Sequence, residues 1–194
     1  MPKTTFRPII TLPQENLRER SKKVNVIDDD IKSLIKEMEA ATLDWEEGRA
    51  HEVGVALAAV QINDLRRVVV IRDNFDDKSN KDFQVFINPQ ITKYEGEIQF
   101  DYEGCLSVKD VYGKVPRHTK IRVKALDING NEIRLKAEGF LARVFQHEID
   151  HTNGIVFVDH IKDEKDAFFN LTKDGSLEAL DYDEAIANNR ILWQ

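Results

Sequence analysis

Phe140-Leu141-Ala142-Arg143-Val144-Phe145-Gln146-His147-Glu148-Ile149-Asp150-His151-Thr152 is the stretch on which the fold of this chain turns. It is apolar at nearly every angle of a helical projection. Asn153-Gly154 follows, a pair suited to ending a helix. A helix with no broad polar face belongs in the interior, so the few polar groups it carries need a reason to be there. His147 and His151 lie four residues apart and project from one helix face, about one turn from each other. With Glu148 between them they form HExxH, a pair of imidazole ligands beside a candidate base. The alternative is two ordinary core or surface histidines flanking a solvated Glu–Asp pair. The apolar wrapping counts against it, because burying unpaired imidazoles and carboxylates is costly.

Outward from this helix the pattern is that of an α+β protein. Asp28 to Leu43 predicts a second helix: Asp28, Asp29 and Asp30 offer N-cap oxygens, and Ile31, Leu34, Ile35 and Met38 recur at helical spacing. Val68 to Ile71 is a β-branched run ending at the charged loop Asp73 to Asp82, and Phe83 to Ile87 predicts a strand closed by Asn88-Pro89. Ile121, Val123 and Ala125 alternate with polar residues, as do Ile133 and Leu135. Asn129-Gly130 between them predicts a type I′ hairpin. The expected architecture is mainly antiparallel β-sheets packed around one central buried helix carrying HExxH. Residues 1–162 are expected to form the catalytic domain. Residues 163–194 are acidic and are expected as a tail that either packs on the outside as a peripheral element or is partly mobile, with a helix over Asp181 to Asn189.

A catalytic metal site usually has three protein ligands, and HExxH supplies two. In the extended HExxHxxGxxH pattern Gly154 is kept, but Phe157 stands where the third histidine would be, and His160 comes three residues too late. The third ligand must come from elsewhere. Cys105, within Glu103-Gly104-Cys105-Leu106-Ser107, is the candidate; alone, such a cysteine is most often a small buried hydrophobe. Beside an incomplete HExxH the balance reverses, since a divalent metal deprotonates the thiol.

Composition narrows the classes. The chain of 194 residues carries 28 Lys plus Arg against 35 Asp plus Glu, a net charge of -7, which argues against binding nucleic acid or an anionic membrane. No run reaches the roughly 18 apolar residues of a membrane span. Met1 to Pro13 lacks the apolar core of a signal peptide, and a single cysteine excludes an internal disulfide, so a cytoplasmic setting is expected.

Three segments, in order, resemble the motifs of peptide deformylases. Gly54 to Gln61 is similar to GxGxAAxQ, Glu103 to Ser107 matches EGCLS, and His147 to His151 matches HExDH. Ile9 to Pro13 and Val115-Pro116-Arg117 extend the resemblance. It implies a small α+β hydrolase that removes the N-formyl group from the initiator methionine of new polypeptides. It implies one divalent metal, natively Fe²⁺ with Zn²⁺ or other ions substituting, held by Cys105, His147 and His151 with water as the fourth ligand. Glu148 would then be the catalytic acid and base, and Gln61 with the backbone N–H of Leu106 would polarise the formyl oxygen. An extended substrate would lie along Gly54, Val55, Ala56 and Gly104, its methionine side chain among Val55, Phe140, Val144 and His147. The expected partners are formyl-methionyl N-termini near the ribosome, met by a monomer with no direct contact to nucleic acid or membrane.

The first motif departs from the family: Ala56 replaces its second glycine and Val60 its proline. Thr152, which changes the packing behind His151, and Lys109 also depart, and neither removes a ligand or the base. Altered substrate affinity is expected from Ala56, with the chemistry kept. Asp150 is expected either to orient a ligating histidine or to form a structural salt bridge. His51, His118 and His160 are expected at the surface without a chemical role. Three competing readings remain at this level: an HExxH peptidase with a distant carboxylate as third ligand; a metal-free hydrolase with Cys105 as nucleophile and His147 as base; and a deformylase-like protein that binds nascent chains without turnover.

Overall fold

The computed structural model describes residues 6–187 and Leu192. Helix α1 spans Asp29–Trp45, and the Asp28 carboxylate caps it by accepting from the Ile31 N–H. Strands β1 (Ala56–Ala58), β2 (Val68–Arg72), β3 (Phe83–Cys105), β4 (Val108–Leu126) and β5 (Glu132–Glu138) lead into helix α2 (Gly139–Thr152). Strands β6 (Phe168–Leu171) and β7 (Leu177–Ala179) follow. All seven strands join one antiparallel sheet in the order β1-β2-β3-β4-β6-β7, with β5 also on β4.

The α+β class therefore holds, but as one sheet with a helix on each face rather than several sheets around one helix. Alternation in β2 shows why. Val68 and Val70 pack with Ile31, Leu34 and Met38 of α1, whereas Val69 and Ile71 pack with Phe145 and Ile149 of α2. A strand covered on both faces reads as an unbroken apolar run, as Val68 to Ile71 does.

Three further expectations are corrected. Asn88-Pro89 does not close a strand: β3 runs through it at a register shift, with Asn88 at φ 54° and its side-chain amide bridging the backbone of Val24. A bulge accommodates both a left-handed residue and a proline without an N–H. The β4–β5 connection is not a two-residue type I′ turn. Leu126 pairs with Glu132, and the intervening loop is drawn in by Asp127, whose carboxylate accepts from the Asn129 and Asn131 N–H groups; only Gly130 has positive φ. The segment after residue 162 is not mainly a peripheral helix. It adds β6 and β7 to the sheet, its Phe168 is fully buried beside Phe157 and Val158, and the helical turns described there are the short Lys165–Ala167 and Asp183–Ala187. Of the helix expected over Asp181 to Asn189, the part beyond residue 187 lies outside the described residues. Among the described residues, no helix is long and apolar enough to cross a membrane.

Behind β2, Arg72 is wholly buried and pairs with Glu46 at 2.8 Å, while Glu46 also accepts from the Gly54 N–H. Burial alone would raise the Glu46 pKa, but the hydrogen bonds from Arg72, Gly54 and Lys81 outweigh it and hold the carboxyl below its ordinary 4.5. A depressed carboxylate contributes stability that is complete above the unfolded-state pKa and is lost as pH falls through the folded one. Urea unfolding across pH is expected to show Glu46→Gln less stable than the parent near neutrality, with the gap narrowing below about pH 4. A gap that stays constant down to acid pH would remove Glu46 from this role.

Candidate metal centre

Strand alternation aims the end of β3 at α2: Glu103 and Cys105 are buried and Gly104 between them faces outward. Cys105 pairs with Val108, so the thiol stands on the last residue before a two-residue turn, Leu106-Ser107, joining the two longest strands. From α2, His147 and His151 reach the same point. Cys105 Sγ lies 3.2 Å from His151 Nε2, and the ligand atoms of Cys105, His147 and His151 all fall within 4.8 Å of one another. Tetrahedral coordination at about 2.0–2.3 Å places donor atoms roughly 3–4 Å apart, so this trio fits a single cation. Among the described residues it is the one such cluster, and it contains no carboxylate, as the peptidase reading would require.

Glu103 holds the trio in place. Its Oε2 lies 2.9 Å from His147 Nδ1, which leaves Nε2 of that ring to ligate. Arg117 (2.9 and 3.1 Å) and Arg143 (2.8 Å) pair with the same carboxylate. Burial would raise the Glu103 pKa, but His147 and Arg117 overcome it and keep the group ionised far below the usual carboxylate range. Sequence reasoning missed Glu103, Arg117 and Arg143. The available signal was an acid two residues before the thiol on the same strand face, and an arginine one turn before His147.

The imidazoles are driven apart. Burial opposes charge on His147, but Cys105 and Glu103 raise its pKa well above normal. Burial and the neighbouring His147 push His151 well below normal. A divalent cation would supply the positive charge that Cys105 and Glu103 favour here, and His151 is already held neutral, as ligation requires. Phe157, at the position of the absent third histidine, stacks on His147 with ring centroids 6.0 Å apart. Glu148 is 4% exposed, its Oε2 has no hydrogen-bond partner, and burial pushes its carboxyl up to about 7.

Gln61 sits in the 3-10 turn after β1. Its Oε1 accepts from the Ala58 N–H (2.8 Å), while Nε2 donates to Ser107 Oγ (3.1 Å) and faces Cys105 Sγ (3.6 Å). A cleft of about 260 Å³ beside the trio is lined by Val55, Ala56, Gln61, Gly104, Cys105, Leu106, Phe140, Val144, His147 and Glu148. Gly54 does not line it. It packs on α1, where a Cβ would come 2.6 Å from Thr42 Cγ2 and 2.8 Å from its carbonyl oxygen, so its glycine serves helix packing. Asp150 takes the salt-bridge alternative, pairing with Arg117 (2.5 Å) and His160 (2.7 Å).

A thiol, two imidazoles and a buried, unpartnered carboxylate opening on a narrow cleft define a metal-dependent hydrolase. Residues 6–167 match the polypeptide deformylase family, and the chain belongs to that family. It is 42% identical over 160 residues to the peptide deformylase of Thermomicrobium roseum, covering 81% of this chain and 86% of that protein. It is 44% identical over 159 residues to that of Brachyspira hyodysenteriae, with 81% of each covered. Among solved structures, the peptide deformylase of Legionella pneumophila aligns with a TM-score of 0.71 at 40% identity, covering 80% of this chain and 86% of that one. The Synechococcus elongatus enzyme in complex with actinonin aligns at 0.70 and 34% identity, covering 79% and 78%.

Proposed function

We propose that Cys105, His147 and His151 hold one divalent cation and that the chain uses it to hydrolyse the N-formyl group from the methionine that begins a polypeptide, releasing formate. The meeting of that thiol with two imidazoles, within 4.8 Å, carries the proposal. When bound, a divalent cation acidifies water and polarises a carbonyl oxygen. The Glu148 carboxylate, with one oxygen free of protein partners, accepts the proton of the attacking water and returns it to the departing amine nitrogen. Gln61 Nε2 and the Leu106 N–H donate to the formyl oxygen as it gains negative charge. Val55, Phe140 and Val144 receive the methionine side chain, and Ala56 and Gly104 lie alongside the extended substrate.

By family resemblance the native ion is Fe²⁺, with Zn²⁺ or other divalent ions substituting; the thiolate leaves an Fe²⁺ centre open to oxidation. A single free cysteine suits a reducing cytoplasm, where a monomer would meet nascent chains near the ribosome. Residues 1–162 are assigned as the catalytic domain and 163–194 as its C-terminal addition.

Protein purified without oxygen is expected to carry one metal per chain and to release formate from formyl-methionyl peptides. A chelator should abolish turnover, and Fe²⁺ or Zn²⁺ should restore it. Activity indifferent to the chelator would overturn the metal assignment. Gln61→Ala is expected to keep its metal and lose about 10²–10³-fold in kcat, the usual cost of one oxyanion donor.

A further inference from the structure

The family match closes at residue 167 and β6 opens at Phe168, so the β6–β7 hairpin lies just beyond the residues matched to the family. It nonetheless touches the cleft from two sides. Its base is anchored by Phe168, fully buried, and by pairing of Phe169 with Tyr112 and Phe168 with Gly113 of β4. The Phe169 ring meets Tyr102 edge-on, with centroids 4.9 Å apart and planes at 87°. Its tip, Gly175 (φ +87°), lies so close to His51 that a Cβ there would stand 2.9 Å from the imidazole. Tyr102, Tyr112 and His51 all line the cleft. The two sides are also joined directly, since the Tyr112 hydroxyl donates to Glu52 Oε1 at 2.7 Å.

We infer that the β6–β7 hairpin is the outer wall of the substrate cleft. It positions Tyr102, Tyr112 and His51, and through them it sets how tightly the peptide residues beyond formyl-methionine are bound. The inference rests on the deformylase assignment above. The inner lining of Val55, Phe140 and Val144 is taken by the methionine, which leaves this aromatic group to face the following residues. Two tyrosine rings and an imidazole present flat, largely apolar surface, so apolar side chains at those positions are the ones favoured. Phe169 and Gly175 act through other residues; they position the wall and touch no reacting atom.

The test is steady-state kinetics of the metal-loaded full chain on two substrates, formyl-Met-Ala and a formyl-Met tetrapeptide with apolar residues after the methionine. Phe169→Ala and Gly175→Val are each expected to raise KM for the tetrapeptide about three- to tenfold, the loss of one aromatic contact, with kcat unchanged and the dipeptide unaffected. Phe169→Tyr, which keeps the ring, should restore the parent KM. Equal shifts on both substrates, or no shift in variants that melt like the parent, would overturn the inference. Should Phe169→Ala not fold, Phe169→Leu and Gly175→Val decide by the same split. The parent's turnover of formyl-Met-Ala separately tests the deformylase assignment: activity there with no split among the variants refutes the hairpin's role alone, and no formate at all refutes both.

Discussion

Glu148→Ala protein is expected to bind its metal like the parent and to release formate about 10³–10⁴-fold more slowly. The metal should stay because Glu148 lies outside the ligand trio and its Oε2 holds no protein partner. Turnover should fall because this carboxylate lines the cleft beside the ligand trio with an oxygen that no protein group holds, free to take a proton and give it back. Its environment suits that work: burial moves the carboxyl from 4.5 up to about 7, where gaining and losing a proton near neutral pH are both accessible. The rate drop should exceed that of Gln61→Ala, which removes a hydrogen bond and no proton-transfer step. Metal analysis with formate assays checks both halves. A fully active Glu148→Ala enzyme would show that the base lies elsewhere, and a metal-free one that Glu148 belongs to the ligand set.

Replacement of Glu103 is expected to have the largest structural effect. Its carboxylate is the shared partner of Arg117, Arg143 and His147, all within 2.8–3.1 Å and almost wholly buried. Glu103→Ala would strand two guanidinium groups in the interior, and breaking a buried pair from one side costs about 3–5 kcal/mol. Asp150 still holds Arg117, and backbone carbonyls of Gln99 and Val115 still hold Arg143, which favours the lower end of that range. His147 would lose the partner that fixes its ring, a change that typically lowers metal affinity 10–100-fold. Urea unfolding and chelator competition should show the two losses together. Glu103→Gln, keeping shape and one acceptor, should recover part of the stability and less of the affinity. Unchanged metal affinity in Glu103→Ala would mean that packing against Phe157 alone orients His147.

The parts of this molecule that were legible in the sequence are those fixed within one or two helical turns. HExDH needs only the i, i+4 geometry of a helix, and Asp28 caps α1 by a contact three residues away. Cys105 was reached because two histidines leave a metal site incomplete. Long-range features were not legible. Asn88-Pro89 looks like a strand end until the side chain of Asn88 is seen to bond Val24, 64 residues away. The tail looks acidic and weakly patterned, yet Phe168 enters the core beside Val158 because β4 leaves an edge open above β5. Glu103 was quoted with its motif but given no role, since its partners come from β4 and α2 and only the assembled fold brings them together. Gly54, assigned to substrate by its motif, turned out to answer to Thr42 of α1.

The Leu106-Ser107 turn couples ion capture to correct folding. In a ribbon with one side buried, sliding one partner by a single position sends every side chain to the opposite side. A slip between the two longest strands would point the sulfur toward solvent and leave the imidazole pair without its third donor. On the proposed ligand assignment only chains with this pairing would present all three donors, so the uptake of ion at saturation would report how many molecules have the hairpin in register.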